Sequence, residues 1–188
     1  MMFHDADIDG VIVIELQRHE DERGYFVRTY CEEEFERRGL NTRWVQCNLS
    51  HSARKGTLRG IHYQAWPESE IKLIRVVRGG MFGVAVDLRP GSSSFGRHFS
   101  RTFDAAEGAM IYVPAGCGFG FETLSDQTEL YYQMSEFYRP ALAGGVRWDD
   151  PALAIPWPLQ PTCLSARDAS LPFLHELRVL HETEARAS

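Results

Sequence analysis

The 188-residue chain has no stretch of about 18 uninterrupted apolar residues, which argues against a spanning helix. It also has no excess of positive charge. Lys and Arg number 20 against 26 Asp and Glu, a formal net charge of −6, so the basic face that marks nucleic-acid binders is not expected. A small anion needs only a local group of arginines, and the first half of the chain has them. The opening MMFHDADIDG is acidic and lacks the basic start and apolar run of a secretion signal. Cysteine is sparse, and Cys31, Cys47, Cys117 and Cys163 contain no C-x-x-C pair. Without an export signal they read as reduced thiols, and a cytoplasmic location is expected. Repeats, low-complexity tracts and linkers are missing too. The expectation is one domain over residues 1–188, with a frayed tail from His181 to Ser188.

What is present reads mainly as short strands. WVQCNLS, TLRGIHYQ, IKLIRVV, MFGVAVDL, MIYVP, FGFETL and ELYYQM are rich in β-branched, aromatic and apolar residues. Turn signals separate them at Arg89-Pro90-Gly91 and Pro114-Ala115-Gly116, and Gly79-Gly80 reads as a tight hairpin. This spacing predicts an antiparallel sandwich or barrel. Two segments look helical. Glu32 to Arg38 is one, stopped by Gly39. Leu171 to Glu184 is the other, entered through Pro172, with Phe173, Leu174, Leu177 and Leu180 at helical spacing.

Within LRGIHYQ, His62 could be a base, a metal ligand or a buried structural residue. The metal reading is weak. Small β-barrel metalloenzymes usually offer two histidines one residue apart, and position 64 is glutamine. Taken alone, His62 reads best as a hydrogen-bonded core histidine.

Its company changes that reading. DERGYF (Asp21 to Phe26), VQCNLS (Val45 to Ser50), Leu58 to Gln64, KLIR (Lys72 to Arg75) and Phe82 to Arg89 occur in order. Ser94-Phe95-Gly96, Trp148-Asp149-Asp150 and LSARD (Leu164 to Asp168) follow. In order and spacing the chain resembles the dTDP-4-dehydrorhamnose 3,5-epimerases, from about Asp21 to Leu174. The resemblance implies a mainly β fold, a cupin-type jelly-roll barrel with a few short helices. It also implies a homodimer, a nucleotide-diphosphate sugar as substrate, and no metal or organic cofactor. Trp and Phe residues near the N-terminal strands suit a buried dimer interface.

A ketone at sugar carbon 4 acidifies the protons on carbons 3 and 5. Such a reaction needs a base on one face, a partner for the enolate, and an acid on the other face. The resemblance makes His62 the base, Asp168 its orienting partner, Lys72 the group facing the enolate oxygen, and Tyr132 the acid. It places Arg23, Gln46, Asn48 and Arg59 around the nucleotide diphosphate, and arginine's planar fork suits phosphate oxygens. Phe26 and Phe119 count among the substrate-binding positions, and Phe137 and Tyr138 fall where an aromatic stacks on the base.

Each role has an ordinary alternative. Asp168 could cap a helix, Tyr132 could be a packed strand aromatic, and Lys72, between Ile71 and Leu73, could face solvent. Arg59 and His62 also have opposite parity, so an ideal strand points them apart unless a bulge near Gly60 intervenes.

Four positions depart from the family pattern. Phe119 replaces a histidine and Gly83 an aspartate, which would leave Lys72 without an orienting carboxylate. Arg28 replaces a glutamate, and Cys47 an aspartate. Base, partner and acid remain, so proton abstraction is expected to survive. Three readings follow: a 3,5-epimerase of a dTDP-4-keto-6-deoxyhexose, a single-centre epimerase on a dTDP-, CDP- or GDP-sugar, and a binding protein without turnover.

Overall fold

The β-branched and aromatic runs fold as strands in a computed structural model that describes residues 1–177. In chain order the strands and helices are β1 (Met2–Asp5), β2 (Ile12–Glu15), β3 (Arg18–Asp21), β4 (Gly24–Val27), α1 (Glu32–Glu36), β5 (Gln46–Ser52) and β6 (Leu58–Gln64). They continue as β7 (Lys72–Arg78), β8 (Gly80–Asp87), β9 (His98–Asp104), β10 (Met110–Val113), β11 (Cys117–Thr123), β12 (Thr128–Met134), β13 (Ala143–Gly145) and α2 (Ala166–Ala169). All seven expected strands are there, as β5 to β8 and β10 to β12. The sequence reading missed β1 to β4, β9 and β13. The β3–β4 hairpin is mostly exposed on both faces, so it shows no apolar alternation.

Six strands form one antiparallel sheet in the order β1-β2-β10-β7-β12-β5, and five form a second in the order β13-β6-β11-β8-β9. From β5 to β8, and again from β9 to β13, the chain changes sheet at every step. Two sheets joined by such crossings make a jelly roll. The Gly79-Gly80 hairpin is therefore corrected: β7 and β8 lie in different sheets, and the glycines turn a corner between them. Gly79 has φ +75, and a Cβ there would meet Ser125 Oγ at 2.5 Å. The corner is closed by the loop before β12, with no room for paired strands.

The core has three parts. Between the sheets lie Ile74, Val76, Met81, Phe103, Ile111 and Leu130, with Phe119 and Phe121. Val84, Val86 and Ile61, on the outer face of the five-stranded sheet, are covered by Val146, Leu153, Leu174 and Leu177. Residues 174–177 are helical and 171–173 are not, so the expected helix starts later than Leu171. Its remainder to Glu184, and the tail from His181 to Ser188, lie outside the described residues. No helix among the described residues is long and apolar enough to cross a membrane.

On the outer face of the six-stranded sheet, α1 buries Phe35 completely. The helix ends at Glu36, and the amide of Gly39, at φ +68, closes on the Glu36 carbonyl at 2.9 Å. Phe35 packs on Phe3 and Tyr30, with ring centroids 5.6 and 5.0 Å away. Phe35→Ala is expected to cost about 3–5 kcal/mol in urea unfolding, the usual penalty for emptying an aromatic core site. A loss under about 1 kcal/mol would mean that α1 contributes little to stability.

Candidate active site

The site begins with a bulge in β6. On β11, Phe119 faces His62 and Phe121 faces Arg59, so Gly60 and Ile61 together oppose the single residue Gly120. The extra residue resets the alternation, and Arg59 and His62 both reach the same cavity. The parity conflict in the sequence is thereby resolved as the bulge predicts. Only glycine fits at position 60. Its φ is +113, and a Cβ would sit 2.6 Å from the Gly120 Cα and 2.8 Å from the Phe119 carbonyl oxygen.

His62 meets Asp168 across this bulge. Its Nε2 lies 2.7 Å from Asp168 Oδ1, and the Gly60 amide donates to Asp168 Oδ2 at 3.3 Å. Asp168 does not cap its helix. Ser165 is the N-cap of α2, its Oγ accepting from the Asp168 amide at 3.0 Å, which leaves the Asp168 carboxylate free for His62. Burial alone would raise the Asp168 carboxyl, but hydrogen bonds and charge from His62, with help from Gly60 and Ser165, hold it below the usual carboxylate range. An ionised Asp168 can only accept, so the Nε2–H donates to it and the imidazole lone pair is on Nδ1.

Lys72 and Tyr132 come from the other sheet, on β7 and β12. The solvent-facing reading of Lys72 fails, because β7 is covered on both sides: Leu73 packs on the α1 side, and Lys72, 8% exposed, points inward. Its Nζ donates to the His62 carbonyl at 3.2 Å and lies 2.8 Å from Glu70 Oε1. The lysine thus has a carboxylate partner despite Gly83. Burial pushes the Tyr132 hydroxyl up, the Arg59 charge pulls it down and that of Glu70 adds to the rise, with a net shift upward. Tyr132 therefore keeps its proton at neutral pH.

These side chains surround a cavity of about 440 Å³ lined by His62, Asp168, Lys72, Tyr132, Arg59 and Phe119, among others. Gln46 and Asn48 are not among its lining residues, but they share its face of the sheet. Asn48 stands opposite Tyr132 in the β5–β12 register, and Gln46 donates to Asn48 at 3.1 Å. Tyr138, half exposed, is tied to Gln46 through its amide. Arg23 and Phe26 do not join the cavity. They lie on the β3–β4 hairpin beside a separate shallow hollow, where Arg23 pairs with Asp21.

The four departures land unequally. Phe119 is in the cavity wall, 6.3 Å from the Phe121 ring. Gly83 faces the inter-sheet core, where a Cβ would touch the Phe103 ring at 3.2 Å. Cys47 points outward, since alternate residues of β5 are exposed, and Arg28 sits near Glu34 away from the cavity. The sequence reading missed Ser50, Arg167 and Cys163, which also line the cavity, and Glu70 behind it. Ser50 Oγ is buried there without a hydrogen-bond partner among the described residues. Its parity with Asn48 was the available signal. Among the described residues, no three His, Cys, Asp or Glu side chains are grouped to hold a metal ion.

The sequence model of the dTDP-4-dehydrorhamnose 3,5-epimerase family matches residues 5–176. A dTDP-4-dehydrorhamnose 3,5-epimerase of Sinorhizobium fredii is 40% identical over 180 residues, covering 95% of this chain and 92% of that one. A dTDP-4-dehydrorhamnose 3-epimerase of Streptomyces niveus is 38% identical over 179 residues, covering 95% and 86%. Among solved structures, a 3'-monoepimerase from Streptomyces bikiniensis in complex with dTDP superposes with a TM-score of 0.90 at 35% identity, covering 95% of this chain and 90% of that one. That crystal holds a double mutant in one histidine and one tyrosine. Matched along nearly its whole length, the chain belongs to the dTDP-4-dehydrorhamnose 3,5-epimerase family and is a carbohydrate epimerase on a cupin-type jelly roll.

Proposed function

We propose that the chain is a dTDP-4-dehydrorhamnose 3,5-epimerase, in which His62 removes a proton beside the C4 ketone and Tyr132 returns one to the opposite face. The observation that carries this reading is the His62–Asp168 pair at 2.7 Å, opening on a cavity whose other wall holds Lys72 and Tyr132. Nδ1 of His62 takes the carbon-bound proton, and Asp168 stabilises the imidazolium. The Lys72 ammonium faces the oxygen on which enolate charge collects. Tyr132 then protonates the carbon from the six-stranded sheet. The neighbouring structure altered at one histidine and one tyrosine supports this choice, since the two are as far apart in its sequence as His62 and Tyr132 are here. Arg59, Gln46 and Asn48 hold the diphosphate, and Phe137 and Tyr138, both half exposed, offer faces to the base.

The same proposal includes a homodimer of one-domain chains in the cytoplasm. Leu49 and Tyr131 stand opposite each other on the outer face of β5 and β12 and are exposed, as are Tyr25 and Phe26 on the hairpin. Phe3, Phe35 and Trp44 are spent on packing within the chain, so these residues supply the apolar face. Arg23 and Phe26 would reach a substrate through the cavity of a second copy, which accommodates their absence from their own.

The test is incubation with dTDP-4-keto-6-deoxyglucose in D2O, with deuterium read at carbons 3 and 5 by NMR. Incorporation at both carbons is expected, and none at either would overturn the reading. Tyr132→Phe is expected to slow inversion about 10²-fold or more while exchange continues, because only reprotonation from its side is lost. A second reading, inversion at one carbon only, is favoured by Phe119, which removes a hydrogen-bonding side chain from the cavity wall. Deuterium at a single carbon would select it.

A further inference from the structure

Glu70 belongs to none of the motifs that carry the family resemblance, yet it is a nearly buried carboxylate, 8% exposed, directly behind the cavity. On an extended chain, residues two apart share a side, and Glu70 precedes Lys72 by that interval. Glu70 Oε1 lies 2.8 Å from Lys72 Nζ. A lysine stem is long and its ammonium rotates freely, so a lysine that must face one substrate atom has to be fixed by its neighbours. An ammonium has three protons to donate. Here the ammonium is ion-paired with Glu70 at 2.8 Å and donates to the His62 carbonyl at 3.2 Å, and Lys72 lines the cavity, where donor capacity remains for a ligand. The space beside Gly83, where the family pattern leads one to look for a carboxylate, is taken by the Phe103 ring.

We propose that Glu70 is the positioning residue for Lys72, its carboxylate holding the ammonium where an N–H can face the ketone oxygen of the sugar. This rests on the reading of Lys72 as the group that meets the enolate. Glu70 touches no substrate atom and acts through the lysine. A neutral glutamine would still fill the space, but it would not compensate the charge of a buried ammonium, which would then turn toward other acceptors.

The experiment compares wild type with Glu70→Gln and Glu70→Asp on dTDP-4-keto-6-deoxyglucose, and measures dTDP affinity by calorimetry. Glu70→Gln is expected to lower kcat about 10²-fold, the usual size for a reacting group displaced by about 1 Å, with KM and dTDP affinity within about twofold. Glu70→Asp is expected to recover part of the loss. Unchanged kcat in Glu70→Gln overturns the proposal, as does a loss of kcat matched by a loss of dTDP affinity, which would mark a general structural role. A second readout does not depend on turnover. The chain has two lysines, and Lys55 is exposed, so a slowly exchanging 15N–1H ammonium cross-peak at low temperature, absent in Lys72→Arg, reports the paired Lys72. It is expected to vanish in Glu70→Gln, and its persistence there overturns the proposal. If wild type fails to turn over the keto sugar, the functional reading falls, and the cross-peak still decides whether Glu70 holds Lys72.

Discussion

Replacing His62 with asparagine is expected to lower deuterium exchange and epimerisation about 10³- to 10⁴-fold, the upper range for loss of a general base. Asparagine can still donate to Asp168, so the wall of the cavity is kept while the basic lone pair is removed. The nucleotide end is untouched, and dTDP affinity is expected to stay within about twofold. Exchange that persists in His62→Asn would show that another group takes the proton. The pairing also sets a pH expectation. The Asp168 carboxyl is held low in the folded protein, so the stability it contributes is fully present above the unfolded carboxylate value of about 3.9. That contribution is lost only as pH falls through the lower folded value. Asp168 therefore does not set the acid limb of the rate profile near neutrality.

Gly60→Ala is expected to be the most damaging single-methyl change in the barrel. The backbone is at φ +113, and the added carbon would sit 2.6 Å from the Gly120 Cα and 2.8 Å from the Phe119 carbonyl oxygen, both closer than a Cβ tolerates. Backbone strain and overpacking each cost about 1–3 kcal/mol, so a total of about 2–6 kcal/mol is expected. For a chain of this size that lowers Tm by about 10 °C. Activity is expected to fall beyond what the lost stability explains, because the bulge that turns Arg59 and His62 to one side would be forced open. Thermal unfolding of Gly60→Ala beside its exchange rate checks both. A variant with unchanged Tm and rate would mean that the bulge tolerates a side chain.

The strands that form the cavity were legible because their runs are apolar and end at clear turns. The exposed hairpin at Arg18–Val27 was not, since a strand without a buried face has no periodic signal. Gly79-Gly80 misled for another reason: a corner between sheets and a hairpin within one use the same glycines, and only distant residues such as Ser125 tell them apart. At the site, His62 and Asp168 could be named from motifs, but nothing local showed that they touch. Their contact joins residues on β6 and α2, far apart in the chain. Glu70 carries no local signal, because an acidic residue in a loop is usually solvated and its burial depends on how β7 enters the barrel.

The division of the site between β6 in one sheet and β12 in the other has a stereochemical consequence. With the proposed roles, protons leave through one wall and arrive through the opposite one, so the ring need not flip or depart between the two events. The handedness of the product is then written in strand connectivity, because each crossing of the jelly roll decides which wall a residue joins. A barrel with the same two groups on one wall would wash isotope into the sugar and return it with its configuration unchanged.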